Sequence, residues 1–490
     1  MAALPSQPGV PLLRSVDVLF DLAEKGVWAF LHVGRLKEFV CRGEQIVHRQ
    51  QLQKDHPELF WQKDQGRDLV IHALSYPWLS KDHPDPHGII TERICKFQGL
   101  KDKTLLFWDF ASLHQHPPGR ERTEEETLLF HEALQSLPLL YGNQHPQVVF
   151  LRCTAGPSET KTAETGGNTR PYWFRGWCTF ESFVANGKGN HFFILDVDTE
   201  SGTEGPEAQN ENRNLETEKP SVQVRKAQAK IPRAPADFRK LLEEKEQGES
   251  GLPVIAFTNA SDCSRVADLY EAYARLFVKS LKELRLETVS LKGEGAASFL
   301  ASFLSFVADC LEEEAGELIN QEEVAGAVRK GKSKRKPKYA SLKKAPAIPR
   351  PSRPPSFGLS KIVLFGTGLT DRELTELTPA FCRLSSLTSL HLSNNEDLTS
   401  EGVTALADAL SRHPGVEVPL ELLDLSWSPQ VDDRCVEALA RWAAGRHRRG
   451  VKVWMDKSEG NSLYVEGTGI TDKGERLFAD TLKHELNQAI

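Results

Sequence analysis

The chain has 490 residues, more than one ordinary hydrophobic core organises, so two or three domains are expected. Hydrophobic residues at 39% and charged residues at 26% are the proportions of a soluble globular protein. The 61 Lys and Arg against 68 Asp and Glu leave a net charge of −7, which by itself names no nucleic-acid or membrane partner. No window holds the roughly eighteen apolar residues that a membrane span needs, and the opening MAALPSQPGVPLLRSVDVLF lacks the unbroken apolar core of a secretory signal. Cysteines 41, 95, 153, 178, 263, 310, 382 and 435 form neither a C-x-x-C pair nor a tight cluster for zinc. They are expected to be reduced thiols in a cytoplasmic or nuclear protein.

Residues 1–60 predict a helical lead-in, with apolar side chains at helical spacing at Val16, Leu19, Phe20, Ala23, Val27, Phe30 and Leu31. Over 61–198 the texture changes to short apolar runs: DLVIHALSYPW, KTLLFWDFASL, PQVVFLRC and NHFFILDVD. Runs of this length that are continuous rather than alternating suit strands covered on both faces of a parallel sheet. Between the second and third, TEEETLLFHEALQSLPLLYG starts with acids and continues with Leu129, Phe130, Ala133, Leu134 and Leu137, the pattern of a helix. Alternating strands and helices predict a flavodoxin-like, doubly wound α/β domain whose functional positions lie at the carboxyl ends of the strands.

Residues 199–250 are polar and almost free of aromatics, which predicts a disordered linker. Residues 251–320 are expected to be an α/β segment with a possible first repeat at Leu286, Val289 and Leu291. A basic, Pro-rich disordered insertion is expected over 321–358, because 329–344 carries nine Lys or Arg in sixteen residues and has nothing to bury. Such a run is a candidate nuclear signal, a weak suggestion of nucleic acid, or a solvated tether.

In 359–490 the pattern L-x-x-L-x-L recurs at Leu359, Ile362, Leu364, at Leu387, Leu390, Leu392, and at Leu420, Leu423, Leu425, with a first step of 28 residues. The near-duplicates 366-GTGLTD-371 and 467-GTGITD-472 share five of six residues. One such unit cannot bury its own face, so a short α/β solenoid is expected. The segment resembles the ribonuclease-inhibitor type of leucine-rich repeat, which implies a protein partner.

Three stretches of 61–198 carry candidate chemistry. In 73-ALSYPWLSKDHPDPHG-88, Ser75, Tyr76 and Trp78 leave a strand where a ligand is met, with Asp82, His83, Asp85 and His87 behind them. The alternative is a connection held by Pro and Asp turns. In 105-LLFWDFASLHQ-115, Asp109 follows a strand and suits either a ligand hydroxyl or the amides of its own loop. His83, His87, His114 and His116 match no metal-ligand spacing, and no metal is expected. In 175-RGWCTFESF-183, Glu181 sits among Trp177, Phe180 and Phe183. These residues alone leave it undecided between a functional carboxylate and a polar residue on a packed helix.

In order, ALSYPW and FWDFASLHQ resemble the heterokaryon-incompatibility (HET) domain, and W-C-x-x-E at 177–181 is similar to the segment that opens a helix in Toll/interleukin-receptor (TIR) domains. The resemblance spans about 68–198. It implies a TIR/HET-like module acting as effector or assembly unit, with possible self-association. In NAD-hydrolysing TIR domains the Glu of this segment is the catalytic carboxylate, and here it falls on Glu181. Ser75, Tyr76, Trp78 and Asp109 would then line the nucleotide site, with NAD as substrate. The whole chain is expected to be a cytoplasmic or nuclear signalling or defence-like protein. The alternatives are an NAD glycohydrolase using Glu181 and a non-catalytic scaffold.

Overall fold

In a computed structural model the chain divides into two compact units, Met1–Phe277 and Val278–Ile490. The structure describes residues 12–80, 83–97, 99–117, 119–154, 170, 172–186, 192–196, 223–226, 231–244, 254–287, 289–292, 295–331, 358–412, 419–448, 455–456 and 463–488.

The first unit is built on a six-stranded sheet. Its strands are β1 (Leu31–His32), β2 (Ile71–Ser75), β3 (Leu105–Phe107), β4 (Val148–Thr154), β5 (Phe192–Asp196) and β6 (Gln223–Lys226), in the order β1-β3-β2-β4-β5-β6. The four inner strands are parallel, with Ala73 opposite both Phe107 and Phe150, while β1 and β6 run antiparallel at the two edges. Every residue of β2 is buried, as a strand covered on both faces requires.

The helices of this unit are α1 (Asp17–Glu24), α2 (Val33–Cys41), α3 (Arg49–Asp55), α4 (Ile89–Lys96), α5 (Asp109–Ser112), α6 (Glu124–Tyr141), α7 (Gly176–Ala185), α8 (Pro235–Glu243) and α9 (Asp262–Ser280). Helix α6 starts where Thr123 accepts from the Glu126 amide at 3.1 Å while the Glu126 carboxylate accepts from the Thr123 amide at 2.9 Å. That reciprocal cap satisfies two amides that the helix leaves open.

Two expectations need correction. The described part of the expected lead-in, 12–60, is not separate: β1 is a strand of the sheet, and Leu31, Val33, Leu36, Phe39, Leu52 and Phe60 share one core with Leu74, Leu106, Trp108 and Leu151; residues 1–11 lie outside the described residues. Helical spacing in 12–60 was a true signal, but it hid a two-residue strand too short to show a period of two. Nor is 199–250 an unstructured linker throughout, because β6 and α8 fall inside it. Phe238 of α8 is fully buried and stacks on Tyr270 at 4.0 Å, with Phe183 of α7 at 5.1 Å. A single aromatic in a polar stretch anchors the helix, which composition averaged away.

The second unit repeats strand and helix: β7 (Glu283–Arg285), α10 (Ala296–Gly331), β8 (Lys361–Val363), α11 (Asp371–Arg383), β9 (Ser389–His391), α12 (Ser400–Arg412), β10 (Leu422–Asp424), α13 (Val436–His447), β11 (Met455–Asp456), β12 (Leu463–Tyr464) and α14 (Asp472–Asn487). All neighbouring strands are parallel, in the order β11-β12-β10-β9-β8-β7. Leu284, Ile362, Leu390, Leu423 and Leu463 stand opposite one another along the sheet, and all five are buried.

The first unit of this repeat begins at 281-LKELRL-286, where Leu281, Leu284 and Leu286 are buried, five residues before the position expected. Helix α10 runs to Gly331, so the basic insertion does not begin at 321. Its remainder, 332–357, lies outside the described residues. Among the described residues no helix is long and apolar enough to cross a membrane.

Candidate functional site

The order of the parallel strands reverses at β2, which lies between β3 on one side and β4 on the other. In open α/β sheets the crevice at the carboxyl ends beside such a reversal is where ligands meet the protein. The five candidate residues converge there. Ser75 ends β2, Tyr76 and Trp78 follow it, Asp109 opens α5 directly after β3, and Glu181 projects from α7.

Ser75 Oγ donates to Glu181 Oε2 and lies 2.5 Å from the Tyr172 hydroxyl, which in turn is 3.0 Å from Ser182 Oγ. Beside this group, the Tyr76 hydroxyl donates to Asp109 Oδ1, and Trp78 Nε1 donates to Asp109 Oδ2 at 3.0 Å. The Phe110 amide also donates to Asp109 Oδ1, at 2.6 Å. Cys178 connects the two groups by donating its thiol to the Tyr76 carbonyl at 3.4 Å.

Local chemistry explains how the pieces are held. The turn Tyr172–Phe174 leads into α7, and the Arg175 guanidinium anchors that start by donating to the Trp78 carbonyl and, through Nε, to the Arg170 carbonyl at 2.7 Å. Trp177 donates to Asp262 Oδ2 at 3.1 Å, so the Trp of the W-C-x-x-E segment fixes the helix from outside. Cys178 and Phe180 are buried.

Glu181 is only 8% exposed. Burial lifts its carboxyl well above the ordinary range; the Ser75 hydrogen bond opposes that shift, and the nearby Asp109 charge adds to it. Burial raises Asp109 too, against the bonds from Tyr76 and Trp78. Both shifts have desolvation as their leading cause. Two carboxyl groups that disfavour ionisation in one place is an arrangement that concentrates at functional sites. Burial thus favours the protonated form of Glu181, and its Ser75 partner is one of three hydroxyl groups linked by hydrogen bonds.

Arg152 and Tyr172 complete the group. Arg152 pairs in register with Ser75 across β2 and β4, and its guanidinium lies 4.2 Å from the Trp173 ring centre. The signal for Arg152 was a lone base at the end of an otherwise apolar run, PQVVFLRC.

The first-loop residues divide. Asp85 accepts from the amides of Ile90 and Thr91 at 3.1 and 2.7 Å, so it starts α4 and faces no site. His83 bonds to the Ile46 carbonyl at 2.9 Å, and burial pushes His114 down to about 4. No group of three or more His, Cys, Asp or Glu fit to hold a metal occurs among the described residues. Asp82 lies outside them.

In the second unit the polar groups repeat with the strands. Asn395 is fully buried and donates to the carbonyls of Leu364 at 2.9 Å and Leu392 at 2.7 Å, while its Oδ1 accepts from the Leu369 amide at 2.9 Å. The GTGLTD and GTGITD duplicates are turns that end on helix caps: Thr370 and Thr471 accept from amides in the first turns of α11 and α14.

On the outer sheet face Ser389 Oγ, His391 and Asp424 form a chain, with 2.9 Å from Ser389 to His391 Nε2 and 3.2 Å from His391 Nδ1 to Asp424 Oδ2. The order is that of a hydrolytic triad. However, the Ser389 amide is committed to the Ser360 carbonyl at 3.0 Å, and an acyl-transfer site needs free donors for its oxyanion. Pairing of polar side chains on a half-buried sheet face accounts for it.

A family model described as Leucine Rich repeat matches residues 383–407, from the end of α11 through β9 and the Asn395 turn into α12. No curated protein matches the chain. A leucine-rich repeat is therefore present in the second unit, with the protein-interaction role that such repeats suggest.

Proposed function

We propose that the chain is an intracellular signalling or defence-like protein in which a leucine-rich-repeat solenoid binds a protein partner and a TIR/HET-like α/β unit acts as effector or assembly module. The observation that carries this is the register of Leu284, Ile362, Leu390, Leu423 and Leu463. It turns the alternate positions, among them Lys361, His391, Asp424 and Tyr464, onto one continuous face. For the first unit, the inner strand order β3-β2-β4-β5 supports a flavodoxin-like reading, and the start of α7 at Gly176–Trp177–Cys178 supports the TIR-like one. Self-association through this unit and cytoplasmic or nuclear residence belong to the same proposal.

The test is to purify the protein captured by the full chain from extracts and titrate it against wild type and Lys361→Glu/Tyr464→Ala. Equal affinity would remove the sheet face from the interaction. Deleting 329–344 and imaging the cell tests the nuclear signal, and unchanged localisation refutes it. Nucleic-acid binding rests on that basic run alone and would show as a loss of binding in the same deletion.

A second reading, NAD glycohydrolase, is favoured by the Ser75–Glu181 hydrogen bond, which joins the α7 carboxyl to the strand end. Cleavage breaks the bond between nicotinamide and ribose, nicotinamide leaves with the bonding pair, and water adds to the ribose carbon and releases a proton. Positive charge develops on the ribose, and an ionised Glu181 beside it would stabilise that charge. Trp78, half-buried beside Asp109, would stack on the nicotinamide or adenine. Incubating the full chain with NAD should release nicotinamide, and Glu181→Gln should stop it. Release that survives the substitution removes Glu181 from catalysis, and no release from assembled protein leaves the scaffold.

A further inference from the structure

After each of β8, β9, β10 and β12, four neighbours in the sheet, the chain passes through the left-handed region at the same position: Gly366 at φ 62°, Asn394 at 58°, Trp427 at 58° and Gly467 at 66°. Glycine and asparagine tolerate that conformation, whereas a bulky side chain is strained in it. Trp427 is also 55% exposed, so burial of its ring does not offset the strain. The neighbouring turn makes room for it, since a side chain on Gly467 would come within 2.7 Å of Trp427 Cε3. Phe365, in the turn after β8, is 39% exposed. Phe365 and Trp427 are the exposed large aromatics among the described residues, and both belong to this stack of turns.

Acidic residues occupy the turns on either side of Trp427. Glu466, in the next turn, accepts from the Trp427 amide through its carbonyl at 2.6 Å, and Glu396, in the preceding turn, accepts from Gln430 Nε2 through its carbonyl at 2.8 Å. Both side chains are exposed, and neither carboxylate is ion-paired among the described residues. Lys292, whose charge reaches Glu396, is bonded to Asp397. An exposed aromatic ring with exposed acidic residues in both adjoining turns fits a cation, and a guanidinium best, because it stacks on a ring while donating sideways.

We propose that Trp427, with Glu396 and Glu466 in the adjoining turns, receives an arginine of a basic segment in the protein partner, with Phe365 extending the apolar contact. This rests on the reading that the repeat unit binds a protein, and names the chemistry of the bound segment. The negative charge disfavours nucleic acid.

The test is titration of the full chain with a synthetic peptide of alternating arginine and serine, with citrulline and glutamate peptides as controls. Saturable binding at about millimolar peptide or below is expected for arginine alone. Trp427→Gly should weaken it about tenfold or more without lowering Tm, since glycine takes the same φ. Glu396→Gln/Glu466→Gln, on exposed side chains, should weaken it several-fold.

Absence of binding, equal binding of citrulline, or equal binding by both variants overturns the proposal. Concentration-dependent self-association that Trp427→Gly abolishes would also overturn it, by making the occupant a second copy. A captured partner lost from Lys361→Glu/Tyr464→Ala but held unchanged by Trp427→Gly removes this site and leaves the broader reading standing.

Discussion

Replacing Glu181 with glutamine separates a buried neutral acid from an ionised one. In the unfolded chain this carboxyl titrates in the ordinary range, about 4.3, whereas burial raises it in the folded protein. Between those two values the folded state holds a proton that the unfolded state has released. Stability contributed by the protonated carboxyl is therefore complete below the ordinary value and is lost as pH rises towards the raised one. Each pH unit within that window costs the wild type about 1.4 kcal/mol.

Glutamine presents an oxygen to Ser75 Oγ, as Glu181 Oε2 does, and does not titrate. Near pH 4 the two proteins should therefore agree to within about 1 kcal/mol. Above that, the variant should gain on the wild type by about 1.4 kcal/mol per unit until the folded carboxyl ionises. Urea denaturation at stepped pH measures the difference. Six of the nine tryptophans lie in Met1–Phe277, so fluorescence follows the unit that contains Glu181. Asp109 is raised as well and its charge acts on Glu181, so the comparison is repeated with Asp109→Asn in both proteins to remove its contribution. A difference that stays flat with pH would show that Glu181 ionises normally in the folded chain, and the desolvation argument would fail.

Asn395→Ala should cost about 3–5 kcal/mol, because it leaves the Leu364 and Leu392 carbonyls and the Leu369 amide without their buried partner. Chemical denaturation would measure it, and a loss under about 1 kcal/mol would reduce Asn395 to a spacer. Arg49→Met keeps an apolar stem but removes the donors that bind the carbonyls of Gly26, Val27 and Ser112 at 3.1–3.3 Å. A loss of about 3 kcal/mol is expected, and an unchanged Tm would contradict the role of Arg49 in tying 12–60 to the sheet. If NAD is cleaved, the rate should rise with pH through the same window as the stability difference, since catalysis needs the carboxylate and burial disfavours it.

Strands β2 to β5 were legible because inner parallel strands are continuous apolar runs, and Leu390 and Leu423 were legible because a repeat shows itself by recurrence. What escaped has physical reasons. Leu31 sits in a two-residue strand embedded in helical spacing. Phe238 is one buried ring in a polar stretch. The strand at Leu284 precedes a long helix rather than the short spacer of its later copies. The candidate site was legible in its members but not in its closure: ALSYPW, FWDF and W-C-x-x-E marked Ser75, Tyr76, Trp78, Asp109 and Glu181. Nothing in spacing indicated that Tyr172 and Ser182 would join Ser75, because those bonds cross about a hundred residues of chain for Tyr172 and depend on how α7 lies over the strand ends.

Recurrence also separates scaffold from candidate function. Asn395 is buried and polar, yet its hydrogen-bonding groups close the turns on either side of it, so stability alone explains it. Trp427 occupies a position that sister turns give to Gly366, Asn394 and Gly467, and its ring is left in solvent, so stability does not explain it. Glu181 poses the same question in the first unit. A glutamine would accept from Ser75 without the desolvation that lifts the Glu181 carboxyl, so packing alone gives no reason for an acid at this position. The feature that a carboxyl has and an amide lacks is the capacity to lose its proton, and it should lose it when a positive charge arrives at the strand ends. A cationic nicotinamide ring or a developing ribose cation is such a charge. If so, a ligand carrying it should lower the Glu181 pKa and release a proton on binding. That release should appear as a buffer-dependent heat in calorimetry and be absent from Glu181→Gln; a heat independent of buffer would leave Glu181 as a packed acid.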